Sequence, residues 1–127
     1  MMKINGLITS GSGKGEYFMS QDIYTSQFKD KLGFIPFKGT LNILIEKEDL
    51  DKIHSIKNKN SEVIKGSKGF GNVLLVEANL QDNVKGAIIF PAKTTHPEEF
   101  LEFVAAEGLR KSLHLRDGDS VTLNIKE

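Results

Sequence analysis

The stretch from Phe70 to Pro91 limits the fold most. Phe70 to Leu80 reads as a strand, and Val73-Leu74-Leu75-Val76 makes it apolar on both faces. Gln81-Asp82-Asn83 turns the chain, and Val84 to Phe90 returns as a second strand closed by Pro91. Shorter apolar runs flank this pair: Met2 to Thr9, Thr40 to Ile45, Ser61 to Lys65 with the turn Gly66-Ser67-Lys68-Gly69 after it, and Ser120 to Ile125 beyond the turn Asp117-Gly118-Asp119. Paired strands joined by short turns are the pattern of a meander or barrel. Phe100 to Ala105 fits a strand or a helix equally well. One stretch reads clearly as helix, Gln21 to Leu32: Ser20 can cap it, Ile23, Tyr24, Phe28 and Leu32 share a face, and Gly33 stops it. Glu46 to Lys59 is mostly charged, with Leu50, Ile53 and Ile56 as its apolar anchors, and reads as a surface excursion holding a short helical turn. Leu109 to Leu115 makes one or two further helical turns.

A chain of 127 residues has room for one core. Its 17 basic and 17 acidic residues cancel, leaving no field to draw it onto nucleic acid or a membrane surface. The absence of cysteine removes disulfides, thiolate metal sites and a thiol nucleophile. His54, His96 and His114 are too scattered for a zinc cluster. No apolar run nears the roughly 20 residues of a membrane span, and the N-terminus lacks a secretory apolar segment. A soluble cytoplasmic protein is expected.

Three places carry candidate chemistry. Ser10 to Tyr17, SGSGKGEY, alternates glycines so that backbone N–H groups can approach a ligand. It is not a Walker loop: Ile8 stands where the first glycine belongs, and Gly15 where Ser or Thr follows the lysine. The dinucleotide fingerprint fails too, with Glu16 at its third glycine. Either the segment is a flexible hairpin loop or it holds phosphate in another architecture. Gly33 to Gly39 is a loop with two glycines and a proline that feeds the strand from Thr40. There Leu41, Ile43 and Ile45 point one way, Thr40, Asn42 and Leu44 the other. Thr40 and Asn42 then present two neutral oxygens side by side, which suit a hard cation whose charge phosphates balance, although Thr and Asn also serve as ordinary ladder or turn residues at a strand start. Finally, if Phe100 to Ala105 is a strand, Glu102 shares a face with Phe100 and Val104, and a carboxylate there needs a partner or a ligand. No Ser-His-Asp set, carboxylate pair or metal triad stands out.

The order of four blocks is more specific than any one of them. GSGKGEYF at Gly11 to Phe18, LGFIPFKGTLN at Leu32 to Asn42, GAIIFPAKTTH at Gly86 to His96 and LRKSLHLRDGDSV at Leu109 to Val121 together span nearly the whole chain. In this order the sequence resembles the archaeal CTP-dependent riboflavin kinases. The resemblance implies a mainly β fold, a six-stranded cradle-loop barrel with one or two short helices, filling residues 1–127 as one domain without the N-terminal DNA-binding domain of some members. It implies transfer of the γ-phosphoryl group of CTP to the terminal ribityl hydroxyl of riboflavin, giving FMN and CDP, with Mg²⁺ assisting; a monomer is separately expected. By position it assigns nucleotide binding to Ser12, Gly13, Lys14, Gly15, Glu16 and Tyr17, and to Glu107, Gly108, Leu109 and Arg110. Metal binding falls on Thr40 and Asn42, flavin binding on Thr94 and Glu102, and Glu102 is also the candidate base. A non-catalytic flavin- or nucleotide-binding barrel is an alternative, against which the presence of both phosphate and metal positions argues. So is a swapped-hairpin DNA-binding barrel, which the LRDGDSV tail also resembles and the neutral charge opposes.

Overall fold

The computed structural model describes residues 2–10, 22–66, 71–81, 83–91 and 97–126. Among the described residues seven strands form one antiparallel sheet: β1 (Met2–Thr9), β2 (Leu41–Ile45), β3 (Glu62–Ile64), β4 (Val73–Leu80), β5 (Val84–Pro91), β6 (Phe100–Ala105) and β7 (Ser120–Ile125). The order runs β3-β4-β5-β6-β2-β1-β7, and β4 also pairs with β7 through Ala78↔Ile125 and Leu80↔Leu123. That last pairing closes β4, β5, β6, β2, β1 and β7 into a barrel. The first half of β4 instead carries β3 along the same edge, from Ile64↔Val73 to Glu62↔Leu75.

Alternation sorts the side chains into two apolar clusters. Ile4 and Ile8 of β1, Leu41, Ile43 and Ile45 of β2, and their counterparts on the other barrel strands fill the interior. Val73 and Leu75 of β4, Ala87 and Ile89 of β5 and Val104 of β6 point outward. Helix α1 (Asp22–Leu32) covers them with Tyr24, Phe28 and Leu32, each at most 1 % exposed. This explains why Val73 to Val76 is apolar on both faces: its strand lies between the barrel interior and a helix. Gly33 ends α1 as expected. Its φ of +83° is open to glycine at little cost, and its N–H donates to Lys29 O at 2.9 Å. The cap at Ser20 and the side chain of Ile23 lie outside the described residues.

Two stretches differ from the sequence reading or resolve it. Residues after Ile45 form a 3₁₀ turn (Lys47–Asp49) and then an eleven-residue helix, α2 (Leu50–Asn60), rather than a short turn. Ile53 and Ile56 are buried against the barrel interior cluster, and the charges occupy the rest of the helix surface. Three apolar residues at spacing three are enough when the helix packs on a barrel instead of standing alone. Phe100 to Ala105 is a strand, because it supplies both clusters at once. A short α3 (Leu109–Ser112) follows it.

The packing between β5 and β6 is tight at Gly86. A Cβ there would lie 2.1 Å from the carbonyl oxygen of Val104 and 2.5 Å from the Phe103 ring. The obstacle is backbone within a sheet and has little room to relax. Gly86→Ala should therefore destabilise the fold by about 3 kcal/mol, the upper end for overpacking, measured as a lower denaturation midpoint at unchanged m-value.

Candidate active site

Strands β2 and β6 run side by side, with Asn42 paired to Glu102, Leu41 to Phe103 and Ile43 to Leu101. The apolar members of these pairs point into the barrel, so Asn42 and Glu102 share its outer surface. Thr40 lies just ahead of β2 on the same side, and its Oγ1 donates to Oε1 of Glu102 at 3.2 Å. All three side chains are half-buried. Along β6 the outer face passes from Val104, under α1, to Glu102 just beyond the helix-covered cluster. The sequence singled out these residues for separate reasons, and the fold makes them one group. Among the described residues no three His, Asp or Glu side chains gather as a metal site. The oxygens at hand are a hydroxyl, an amide carbonyl and a carboxylate, all hard donors of the kind Mg²⁺ takes beside phosphate and water.

A pocket of about 190 Å³ opens beside this group, lined by Thr40, Leu41, Phe37 and residues 107–111. The loop before Thr40 is held there by its backbone, since Phe37 N–H donates to Ala105 O at 2.8 Å. The Phe37 ring is 51 % exposed and lies against Gly108, where a Cβ would come within 3.0 Å of its Cζ. Glycine at 108 leaves room for that ring. Thr40 thus sits both beside Glu102 and in the wall of the pocket built by Glu107, Gly108, Leu109 and Arg110.

Arg110 turns away from a purely ligand-facing role. Its Nη2 donates to Thr9 O at 2.9 Å and to Oδ1 of Asp117 at 2.5 Å. The second oxygen of that carboxylate, Oδ2, accepts from the Ser10 hydroxyl at 2.6 Å. The Ser10 hydroxyl and the Arg110 guanidinium both favour the ionised form and hold the Asp117 carboxyl below its ordinary range. Backbone bonds reinforce the junction: Gly118 N–H donates to Ile8 O and Ile8 N–H to Asp119 O, each at 2.8 Å.

A larger cleft of about 470 Å³ takes in Leu101, the chain neighbour of Glu102. Phe90 and Pro91 at the end of β5, Phe100 and Leu101 at the start of β6, and Ile53 and Lys57 of α2 form much of its wall. Ile89, which pairs with Glu102, also lines it. Lys57 Nζ stands 5.1 Å from the centre of the Phe90 ring. His54 has Nε2 3.3 Å from Oε2 of Glu98 at the rim. Ser12, Gly13, Lys14, Gly15, Glu16, Tyr17 and Thr94 lie outside the described residues.

Known proteins resemble this chain over nearly its whole length. The family model CTP-dep_RFKase, described as a domain of unknown function (DUF120), matches residues 8–125. A riboflavin kinase of Methanobrevibacter smithii is 50 % identical over 124 residues, covering 98 % of this chain and all of the relative. The chain belongs to the CTP-dependent riboflavin kinase family. A second riboflavin kinase, from Methanothermobacter thermautotrophicus, is 52 % identical over 116 residues, 91 % of this chain and 93 % of the relative. A third, from Methanosphaera stadtmanae, is 40 % identical with full coverage of both chains. The family is one of kinases, and the mainly β barrel agrees with the fold its resemblance implied. Sequence reasoning missed Phe37 and Asp117. The first was hidden in a loop motif, and the second read as a turn residue. A signal for Asp117 was present in the D-G-D run, since an aspartate in a tight turn has its side chain free to reach a neighbouring segment.

Proposed function

We propose that this chain phosphorylates riboflavin to FMN, transferring the γ-phosphoryl group of CTP and releasing CDP, as a soluble cytoplasmic enzyme that uses Mg²⁺. The observation that carries this reading is the Thr40–Glu102 hydrogen bond. It joins one residue that lines the smaller pocket to another flanked by the walls of the larger cleft. The smaller pocket receives the nucleotide against residues 107–110. The larger, with Phe90 and Phe100 in its wall, suits an aromatic ring system that brings its ribityl chain toward Glu102. Thr40 and Asn42, with Glu102 at hand, fit a hard cation, which when bound would neutralise charge on the phosphates.

The reaction forms a bond between the terminal ribityl oxygen and the γ-phosphorus and breaks the bond from that phosphorus to the β,γ-bridging oxygen. The hydroxyl proton leaves during transfer. The protein's task is chiefly to align the two oxygens and to stabilise spreading charge. Glu102 accepts the hydrogen bond of the acceptor hydroxyl and is the group positioned to take its proton, while the Thr40 hydroxyl fixes the carboxylate's direction. Because the loose transition state lets that proton leave late, Glu102 need not be a strong base.

Donor choice tests the nucleotide half. Cytosine presents an amine donor beside ring-nitrogen and carbonyl acceptors, and backbone groups at 107–110 can read that edge with Phe37 as an apolar wall. Each buried polar group left unpaired by a wrong base costs about 1–3 kcal/mol, so two mismatches give a preference of roughly 10² to 10⁴. At sub-saturating donor and matched Mg²⁺, CTP should support FMN formation far better than UTP or ATP. Equal rates with all three would mean that no base-reading site exists.

A further inference from the structure

We infer that Asp117 is a positioning residue of the nucleotide site, holding the exit of β1 and Arg110 of α3 in a fixed relation. The inference rests on the CTP-kinase reading of the smaller pocket and extends it to a residue outside the pocket wall. One carboxylate serves two segments distant in sequence: Oδ1 takes the Arg110 guanidinium and Oδ2 takes the Ser10 hydroxyl. The same guanidinium nitrogen also holds the carbonyl of Thr9. At the exit of β1, Thr9 is therefore tied directly to Arg110 of α3, which borders the pocket, and Ser10 is tied to it through Asp117.

The chemistry explains why this should matter for binding more than for folding. Ser10, Arg110 and Asp117 are exposed, and the turn at 116–119 has backbone anchors of its own in the Ile8 bonds. Asp119 closes that turn independently, with Oδ2 accepting from Arg116 N–H at 2.8 Å. What the Asp117 carboxylate adds is a fixed relation between residue 10 and residue 110. Arg110 gains from this, since a guanidinium already oriented loses less freedom when its remaining donors meet a phosphate or ribose. An asparagine at 117 keeps one acceptor oxygen and cannot accept from both partners as the carboxylate does.

The carboxylate stays ionised throughout the working range. Its folded-state pKa is lowered, so the contact exists above the ordinary carboxylate value and is lost only as pH falls through the lowered one. The affinity for CTP should thus show no acidic limb from this group between about pH 5 and 8.

The test is steady-state kinetics with both substrates varied, calorimetric binding of CDP, and thermal melting, on the wild type and on Asp117→Ala, Asp117→Asn, Ser10→Ala and the Ser10→Ala/Asp117→Ala double variant. Asp117→Ala should raise the KM for CTP and weaken CDP binding by about tenfold, as loss of a charge-assisted hydrogen-bond pair would. The KM for riboflavin should stay unchanged and the melting temperature within about 2 °C. Asp117→Asn should fall between, and the double variant should bind CDP no worse than Asp117→Ala alone, because Ser10 acts through Asp117. Unchanged CDP binding in an active Asp117→Ala enzyme would overturn the inference. A parallel rise in both KM values with a large drop in melting temperature would overturn it too, making Asp117 a structural residue. A wild type that binds no CDP and forms no FMN would remove the parent reading, and this inference with it.

Discussion

Thr40→Val is expected to lower kcat/KM for FMN formation by about 10²-fold or more while leaving the melting temperature nearly unchanged. Valine keeps the β-branched shape at the start of β2 and deletes the oxygen. That oxygen is proposed to face a cation, and it also donates to Glu102. The two roles separate by titration. If Thr40 is a metal ligand, the Mg²⁺ concentration needed for half-maximal rate rises by about tenfold, and excess Mg²⁺ restores part of the activity. If it only orients Glu102, the rate falls with no change in Mg²⁺ requirement. Asn42→Leu should follow the metal pattern, since it removes the amide oxygen that is the other proposed ligand and lies on the same face as Thr40. Near wild-type turnover of both variants at limiting Mg²⁺ would sink the metal assignment.

Glu102→Gln is expected to lower kcat by about 10²-fold with riboflavin affinity intact. The substitution is nearly isosteric, and an amide oxygen can still accept from Thr40 Oγ1, so the local geometry has reason to persist. Only the charge and the capacity to take a proton are removed. A loss below about tenfold would make Glu102 an orienting acceptor, in keeping with late proton departure. Weakened riboflavin binding at unchanged kcat would make it a recognition residue.

Much of this was readable in the chain because a strand's alternation is so strict. Leu41, Ile43 and Ile45 point inward and are at most 6 % exposed, and that alone puts Thr40 and Asn42 together on the other face. The same logic flagged Glu102 once Phe100 to Ala105 was taken as a strand. What alternation cannot supply is the neighbour. That Asn42 faces Glu102 depends on β2 and β6 pairing in one register, which only the closed sheet defines. Helix α2 was underestimated because its two buried isoleucines have meaning only against a barrel that a local window does not contain. Asp117 escaped for a related reason: its partners are Ser10, over a hundred positions earlier, and Arg110 across a turn.

The hydrogen bond that joins Thr40 to Glu102 spans 62 positions, and the β1–β7 ladder of the barrel joins residues 2 and 125. Contacts of such long sequence separation are slow to form, because the loop-closure entropy must be lost before any pairing compensates for it. Local hairpins such as β4–β5 can form early, whereas β2 must wait for β6 and β1 for β7. The grouping of Thr40, Asn42 and Glu102 therefore does not exist in any partly folded chain that has only its hairpins. During refolding, catalytic competence would emerge with the final long-range pairings and lag the bulk of the secondary structure. Until then β1, β2, β6 and β7 would each present an unpaired edge, the condition under which such chains aggregate.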